Sequence, residues 1–213
     1  MDIAVIGSGI SGLSCAHYLS RAHRVTVFEA GTQIGGHTAT VDVKLGTRRY
    51  AVDTGFIVYN DWTYPNFIAL LQELGVSSKP TDMGFSVSDL ESGLEYSGSS
   101  INTLFAQRRN LASPRFLGMV RDILRFNRES VADLESGLLE PGETLGHYLQ
   151  RKRYGDAFSS HYLVPMASAI WSADCASVSD FPLEFFLRFF RNHGLLSVNN
   201  RPQWRVVEGG SRE

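Results

Sequence analysis

Cysteine is scarce in this sequence, which has only Cys15 and Cys175 among its 213 residues. Two cysteines cannot build the disulfide framework of a small secreted domain, and neither lies in a spacing typical of a metal site. The histidines at positions 17, 23, 147 and 161 show no ligand spacing either. We therefore predict two reduced cysteines with structural roles and no metal site.

Strong net charge and long apolar runs are also missing. The formal net charge is -2, so no basic excess favours a nucleic-acid partner. No run approaches the roughly 18 apolar residues that a membrane-spanning helix needs. The first apolar segment starts at residue 2, which leaves no room for a secretory signal ahead of it. We expect a cytoplasmic protein without a transmembrane segment, with peripheral membrane contact left open and no indication of oligomeric state.

The first thirty residues carry the strongest signal. Residues 2–6 form a short apolar run typical of a buried strand, and a segment with the spacing G-x-G-x-x-G follows at once. Residues 13–22 are typical of a helix, and residues 24–29 of a second strand that ends in an acid. This order of elements is the context that a dinucleotide-binding motif requires. The candidate cofactor-binding residues here are Gly7, Ser8, Gly9, Ile10, Ser11, Gly12, Glu29 and Ala30.

Several of these residues have a distinct physical role in holding a dinucleotide. Gly7 allows the tight turn, Gly9 lets the backbone approach a pyrophosphate, and Gly12 lets helix and strand pack closely. The helix N-terminus offers N–H groups and partial positive charge to the phosphates. Glu29 lies about twenty residues further on, where its carboxylate can accept the hydroxyls of an adenosine ribose.

The segment that starts at this acid reads Glu29-Ala30-Gly31-Thr32-Gln33-Ile34-Gly35-Gly36-His37. Its form, E-A-x-x-x-x-G-G-R/H, resembles the flavin-containing amine oxidase superfamily, which includes monoamine oxidases, carotenoid desaturases and bacterial predicted NAD/FAD-binding proteins. The resemblance implies a non-covalently bound FAD, with Gly35, Gly36 and His37 near its pyrophosphate. The family usually has arginine at the position of His37, which can still donate a hydrogen bond. Two adjacent glycines also leave backbone N–H groups open to an anion.

A second segment, Asp53-Thr54-Gly55-Phe56-Ile57, resembles the family segment D-x-G whose backbone follows the flavin ring. The resemblance implies that Gly55 permits close approach and that Phe56 and Ile57 wall the ring. The alternative is an ordinary strand end.

The predicted fold class is α/β: a Rossmann-like FAD-binding domain (GR2-type) with an inserted mixed, largely helical substrate domain. We place the dinucleotide-binding βαβ region at residues 1–78, the substrate domain at 79–203 and the start of the return to the FAD domain at 204–213. This last stretch resembles the V-x-G-G segment of amine oxidases. The resemblance matches only the N-terminal half of the family fold, so we expect the C-terminal half to be absent and the chain to be a fragment.

Two groups of residues in the helical part leave alternatives open. One is basic, and is either a solvated helix face or a patch for an anionic substrate or lipid headgroups: Arg108, Arg109, Arg115, Arg121, Arg125 and Arg128. The other is aromatic, and is either packed core or the lining of an apolar tunnel to the flavin: Trp171, Phe181, Phe185, Phe186, Phe189 and Phe190.

The predicted function is that of an FAD-dependent, amine oxidase-like oxidoreductase that transfers a hydride from a substrate C–H bond to flavin N5. One alternative is a flavin-dependent desaturase acting on an acyl or isoprenoid chain. Another is a non-catalytic dinucleotide-binding protein or an inactive fragment. The predicted partner is a small-molecule amine or lipid-like substrate, and no residue stands out as catalytic.

Overall fold

The computed structural model describes residues 1–213, which fall into two compact units. The first unit consists of Met1–Asp82 and Gln203–Glu213, and the second of Met83–Pro202. The domain boundaries after residues 78 and 203 stay a prediction. Nowhere does the chain contain a helix with both the length and the apolar character that crossing a membrane requires.

The first unit alternates strands with two helices. Its elements are β1 (Asp2–Ile6), α1 (Ile10–Leu19), β2 (Arg24–Phe28), β3 (Thr40–Leu45), β4 (Arg48–Asp53), β5 (Tyr59–Asn60), α2 (Pro65–Leu74), β6 (Ser78–Thr81) and, near the end of the chain, β9 (Trp204–Val207). Strands β1 and β2 pair in parallel, with Asp2 opposite Arg24, and α1 connects them as in a βαβ unit. Strands β3 and β4 form the antiparallel hairpin that their alternating pattern predicts.

Helix α1 starts earlier than the sequence pattern predicts. The prediction begins at residue 13, whereas the helix runs over Ile10–Leu19 with Gly9 as its N-cap. The second half of the glycine motif is therefore already helical. This places the helix N-terminus, with its free N–H groups, directly beside Gly9.

The sequence of residues 79–96 predicts a second hairpin with its turn at residues 91–93, and the structure agrees with this hairpin only in part. Its first strand is expected over residues 79–90, but the structure divides that stretch between two sheets. Strand β6 pairs with β9, while a separate hairpin joins β7 (Ser86–Asp89) to β8 (Leu94–Ser97) in the second unit. The partner of β6 lies more than a hundred residues away along the chain, and such non-local pairing leaves no local sequence signal.

The second unit is largely helical apart from the β7–β8 hairpin. Its remaining elements are α3 (Ile101–Leu104), the 3-10 helix Arg108–Ala112, α4 (Pro114–Ser136), α5 (Leu145–Arg151), α6 (Asp156–Phe158), the π-helical turn Ser159–Leu163, α7 (Val164–Trp171), α8 (Cys175–Val178) and α9 (Leu183–Asn192). The sequence predicts that α4 starts at Pro114 with Ser113 as its cap and stops near Gly137, and the structure agrees. The Ser113 hydroxyl accepts from the N–H of Phe116, and Gly137 adopts a left-handed conformation after the last turn.

Pro165 interrupts the helical stretch after residue 156, as its missing N–H predicts. The chain passes through the π-helical turn Ser159–Leu163 and then enters α7, where Pro165 lies in the first turn. At that position no intrahelical hydrogen bond is lost. The π-helical turn that precedes α7 contains His161.

The aromatic residues of α7 and α9 belong to the core of the second unit. Phe186 and Phe190 are fully buried, with ring centroids 4.1 Å apart, and Trp171 stacks beside them. Phe185 is the exception, with 55% of its surface exposed. These contacts favour packed core over a tunnel lining for the buried rings.

Candidate functional site

The first glycine loop, residues 7–9, joins β1 to α1 and ends at the N-terminus of the helix. Gly7 has a φ of +92°, a conformation that favours glycine, and its N–H donates to the carbonyl of Phe28 at 2.7 Å. Gly9 caps α1 without any side-chain hydrogen bond, and the first turn contains no acidic residue. The N–H groups of the first helical turn therefore have no intrahelical acceptor and lie at the positive end of the helix dipole.

The second glycine loop, which contains Gly35 and Gly36, lies directly against the first. The N–H of Gly35 donates to the carbonyl of Ser8 at 3.0 Å, and Gly9 and Gly35 form an isolated parallel bridge. Gly36 adopts a φ of +61°, and a Cβ there would come within 2.9 Å of the Gly9 Cα. The structure thus brings together two predicted cofactor-binding segments that are separated by more than twenty residues along the chain.

The Glu29 carboxylate links the first glycine loop to the turn that follows β2. Its Oε2 accepts the Ser8 N–H at 2.9 Å and the Ser8 hydroxyl, and its Oε1 accepts the Gly31 N–H at 2.7 Å. These bonds, led by the one from the Ser8 side chain and aided by the Ala30 N–H, lower the pKa of Glu29 to about 2. Its carboxylate is therefore ionised at neutral pH and retains acceptor capacity, since a carboxylate offers roughly four lone pairs. The ribose contact of Glu29 stays a prediction.

Acid titration should reveal the hydrogen bonds that the Glu29 carboxylate accepts. A pKa lowered to about 2 from 4.5 means that Glu29 stabilises the folded state above pH 4.5, and that this contribution is lost as the pH falls toward 2. We expect Glu29→Gln to lower the free energy of unfolding, with a deficit that shrinks across that interval. Urea unfolding at a series of pH values measures it. Glu91→Gln is the control, because the Glu91 carboxylate accepts no hydrogen bond; an equal trend in that variant would refute the assignment.

A cavity of about 720 Å³ lies beside the glycine loops. Four predicted site residues line it: Ile10, Gly35, His37 and Phe56. Its wall is mostly apolar and includes residues of α2: Phe67, Leu70, Leu71 and Leu74. Its size and lining are those of a small-molecule site with few polar groups. The other predicted site residues do not line this cavity.

The segment that contains Gly55 runs against the chain just after the second glycine loop. A Cβ at Gly55 would lie 1.9 Å from the carbonyl oxygen of His37, and the N–H of Phe56 donates to that oxygen at 3.3 Å. The Phe56 ring packs on Phe67 with centroids 5.7 Å apart, whereas Ile57 is 51% exposed. Gly55 thus allows this segment to pass close to the backbone of His37, and its approach to a flavin ring stays a prediction.

Sequence reasoning missed the hydrogen bonds that hold the end of the chain. Asp53 accepts the Thr40 hydroxyl at 2.6 Å and both the N–H and the hydroxyl of Ser211 at 2.9 Å. Arg212 then pairs with Asp42 at 2.9 Å. Burial raises the pKa of Asp53, but the hydrogen bonds from Thr40 and Ser211 outweigh it, so the pKa lies below its ordinary value. Only the D-x-G pattern marked Asp53 as notable.

The spacing of the histidines in the sequence also gave no sign of one cluster of potential metal ligands. His147, Glu140 and Glu143 have ligand atoms within 4.8 Å of one another. Arg151 occupies both oxygens of Glu143 at 2.8 Å, and its guanidinium lowers the pKa of that carboxyl. The cluster is therefore an ion-pair network within the second unit. The absence of a metal site stays a prediction.

Comparison with known proteins supports a dinucleotide-binding fold for the part of the chain that contains the glycine loops. The family model of an NAD(P)-binding Rossmann-like domain matches residues 5–74. These residues include both glycine loops, Glu29 and α2. The match agrees with the predicted Rossmann-like fold class for this part of the chain.

Solved structures extend the likeness over the whole chain. Cyclohexylamine oxidase from Brevibacterium oxydans IH-35A has a TM-score of 0.60 and 22% identity, covering 99% of this chain and 46% of that protein. A double mutant of putrescine oxidase has a TM-score of 0.59 and 20% identity, covering 98% and 46%. The chain thus has the fold of part of an amine oxidase and spans somewhat less than half the length of these structures. The predicted resemblance in fold is confirmed.

One curated relative is similar over a shorter stretch. The 15-cis-phytoene desaturase of Synechococcus elongatus is 34% identical over 80 residues, which are 37% of this chain and 16% of that protein. The name of this relative states a desaturase and phytoene rather than an amine.

Proposed function

We propose that the first unit binds FAD and that the chain is part of a flavin-dependent oxidoreductase. The observation that carries the proposal is the contact between the two glycine loops at the uncapped start of α1. Backbone N–H groups at a helix N-terminus suit a pyrophosphate, and no acidic side chain of the first turn opposes it.

The residues present fit the parts of that cofactor. The start of α1 with Gly9, Gly35 and Gly36 would hold the pyrophosphate, and the ionised Glu29 would accept from the adenosine ribose. His37 and Phe56 line the adjoining cavity, where His37 would donate to the pyrophosphate and Phe56 would contact the ring system. When bound, FAD supplies the acceptor for a hydride from a substrate C–H bond; the chain supplies binding, orientation and exclusion of water.

The proposed substrate is a small amine. The support is the shared fold with putrescine oxidase and cyclohexylamine oxidase, whose names state amine substrates. A desaturase acting on an isoprenoid chain is the second candidate, favoured by the 34% identity to phytoene desaturase over 80 residues. Anaerobic mixing separates them: cyclohexylamine should bleach the visible flavin band, and bleaching by 15-cis-phytoene alone would reverse the assignment.

Identification of the bound cofactor tests the proposal. We expect the intact purified chain to be yellow and to release FAD, identified by mass, after denaturation. If it is isolated empty, titration should show tight binding of FAD and weaker binding of NADH. A colourless chain that binds NADH but not FAD would contradict the proposal and favour a non-catalytic nucleotide-binding protein.

A further inference from the structure

A second cavity lies within the second unit and takes no part in the proposed dinucleotide site. Its volume is about 380 Å³. It opens to solvent and is lined by the turn between β7 and β8, the 3-10 helix, the first turns of α4 and the π-helical turn that carries His161. π-helical turns occur frequently at functional sites.

Two arginines of the basic group line this cavity. Arg109 donates from Nη2 to the carbonyl of Gly93 at 2.9 Å, and Arg115 Nη2 lies 3.0 Å from Nε2 of His161. Neither guanidinium forms an ion pair with a carboxylate of the chain. Other arginines of the group are occupied elsewhere: Arg125, for example, pairs with Glu129. The two that line the cavity keep most of their N–H donors for another acceptor.

His161 is held in one orientation at the cavity wall. Its carbonyl accepts the Tyr96 hydroxyl at 2.7 Å, and its Nδ1 lies 3.6 Å from Oδ2 of Asp89. Because a guanidinium can only donate, Nε2 of His161 is the acceptor for Arg115, and its Nδ1–H faces Asp89. Asp89 itself is satisfied by the hydroxyl of Ser92 and the N–H of Glu91. Asp89 therefore faces the His161 ring rather than Arg115, and the Arg115 guanidinium has no carboxylate partner at the cavity.

The other wall adds both partial positive charge and apolar surface. Ser113 and Phe116 belong to the cap and first turn of α4, a helix of 23 residues with no acidic residue in that turn. Its dipole favours an anion at this end. Phe116 and Met119 are 4% and 2% exposed and form an apolar floor with Leu94. One side of the cavity suits an anionic group, and the floor suits an apolar one.

We propose that this cavity binds a small organic oxyanion, a carboxylate or phosphate monoester whose short apolar part rests on Phe116 and Met119. The anionic head lies between Arg109 and Arg115, which form charge-assisted hydrogen bonds with it. The proposal concerns the second unit alone and is independent of the FAD proposal.

Calorimetric titration of the intact chain tests it with defined probes. Hexanoate and hexyl phosphate carry the two head groups on the same apolar chain, and hexanamide is the neutral control. We expect at least one anionic probe to bind and the better one to identify the head group. Arg109→Met and Arg115→Met should each weaken that probe on the order of tenfold or more. Arg128→Met removes an exposed charge from α4 outside the cavity and should leave binding unchanged.

Three results would overturn the proposal: no binding of either anion, equal binding of hexanamide, or equal losses in Arg128→Met. Circular dichroism and thermal unfolding verify that the arginine variants fold. Gly9→Ala should bind the anionic probe normally, so failure here and failure of the FAD proposal are separate outcomes.

Discussion

Gly12→Ala should destabilise the first unit by about 3 kcal/mol, the upper end of ordinary overpacking costs, and should abolish dinucleotide binding. A Cβ at residue 12 would lie 2.1 Å from the carbonyl oxygen of Gly7 and 3.1 Å from its carbonyl carbon. These are backbone atoms of a turn already fixed by the Gly7–Phe28 hydrogen bond, so they cannot rotate away as a side chain can. Helix α1 would have to move off β1, and its N-terminus would leave the glycine loops.

The control for this variant changes the same residue type in a tolerant place. Gly118 lies inside α4, and a Cβ there would meet no atom within 4 Å. Gly118→Ala should therefore stabilise the chain by roughly 0.5–1 kcal/mol, the usual helix preference of alanine over glycine. Urea unfolding and FAD titration measure both variants. A Gly12→Ala chain as stable as the wild type would show that α1 does not pack this closely on the turn.

Asp133→Ala should cost about 3 kcal/mol of folding stability, as for the breaking of a buried ion pair. Asp133 Oδ2 accepts the Tyr148 hydroxyl at 2.8 Å and lies 2.6 Å from Nζ of Lys152. Tyr148 is fully buried, and burial with the bond to Asp133 raises its pKa, so the phenol stays a donor. Alanine would leave that hydroxyl and a mostly buried ammonium group without their acceptor.

The cost should depend on pH in a defined direction. Burial raises the pKa of Asp133, but hydrogen bonds from Lys152 and Tyr148 outweigh it, so the pKa lies below 3.8. The stabilisation is therefore complete above that value and is lost as the pH falls further. Asp2→Ala is the control, since its pair with Arg24 is exposed to solvent and should contribute little to folding stability. Equal costs for the two variants in urea unfolding would contradict the assigned network.

Local patterns predicted the elements that local physics determines. The strand, glycine turn, helix and second strand of residues 2–28 are present, and α4 begins at Pro114 and ends before Gly137 as its capping residues indicate. The β3–β4 hairpin follows from alternation. The caps of α4 and the pairing of β3 with β4 are contacts within a turn or across a short connection, and the order of elements in residues 2–28 follows from the glycine spacing. The residue order alone therefore carries the signal.

Contacts between distant segments were not predictable in the same way. The pairing of β6 with β9, the bonds from Asp53 to Ser211, and the bonds from Ser8 to Glu29 depend on how separate elements meet. The sequence marked Arg109 and Arg115 only as basic, and their cavity with His161 exists because a hairpin, a 3-10 helix and a π-helical turn converge. Such sites need a fold before they can be recognised.

Titration of FAD against Gly9→Ala tests most directly whether the cofactor lies at the glycine loops. Gly9 has φ of -67° and ψ of 174°, which any residue adopts, and a Cβ there would meet only the Gly36 Cα at 3.9 Å. The fold should therefore tolerate alanine, while the added methyl group blocks close approach of a pyrophosphate. We predict an unchanged unfolding temperature and an FAD affinity lower by about tenfold or more, beside normal affinity in Gly118→Ala. An unchanged FAD affinity in a well-folded Gly9→Ala chain would place the cofactor elsewhere and contradict the account.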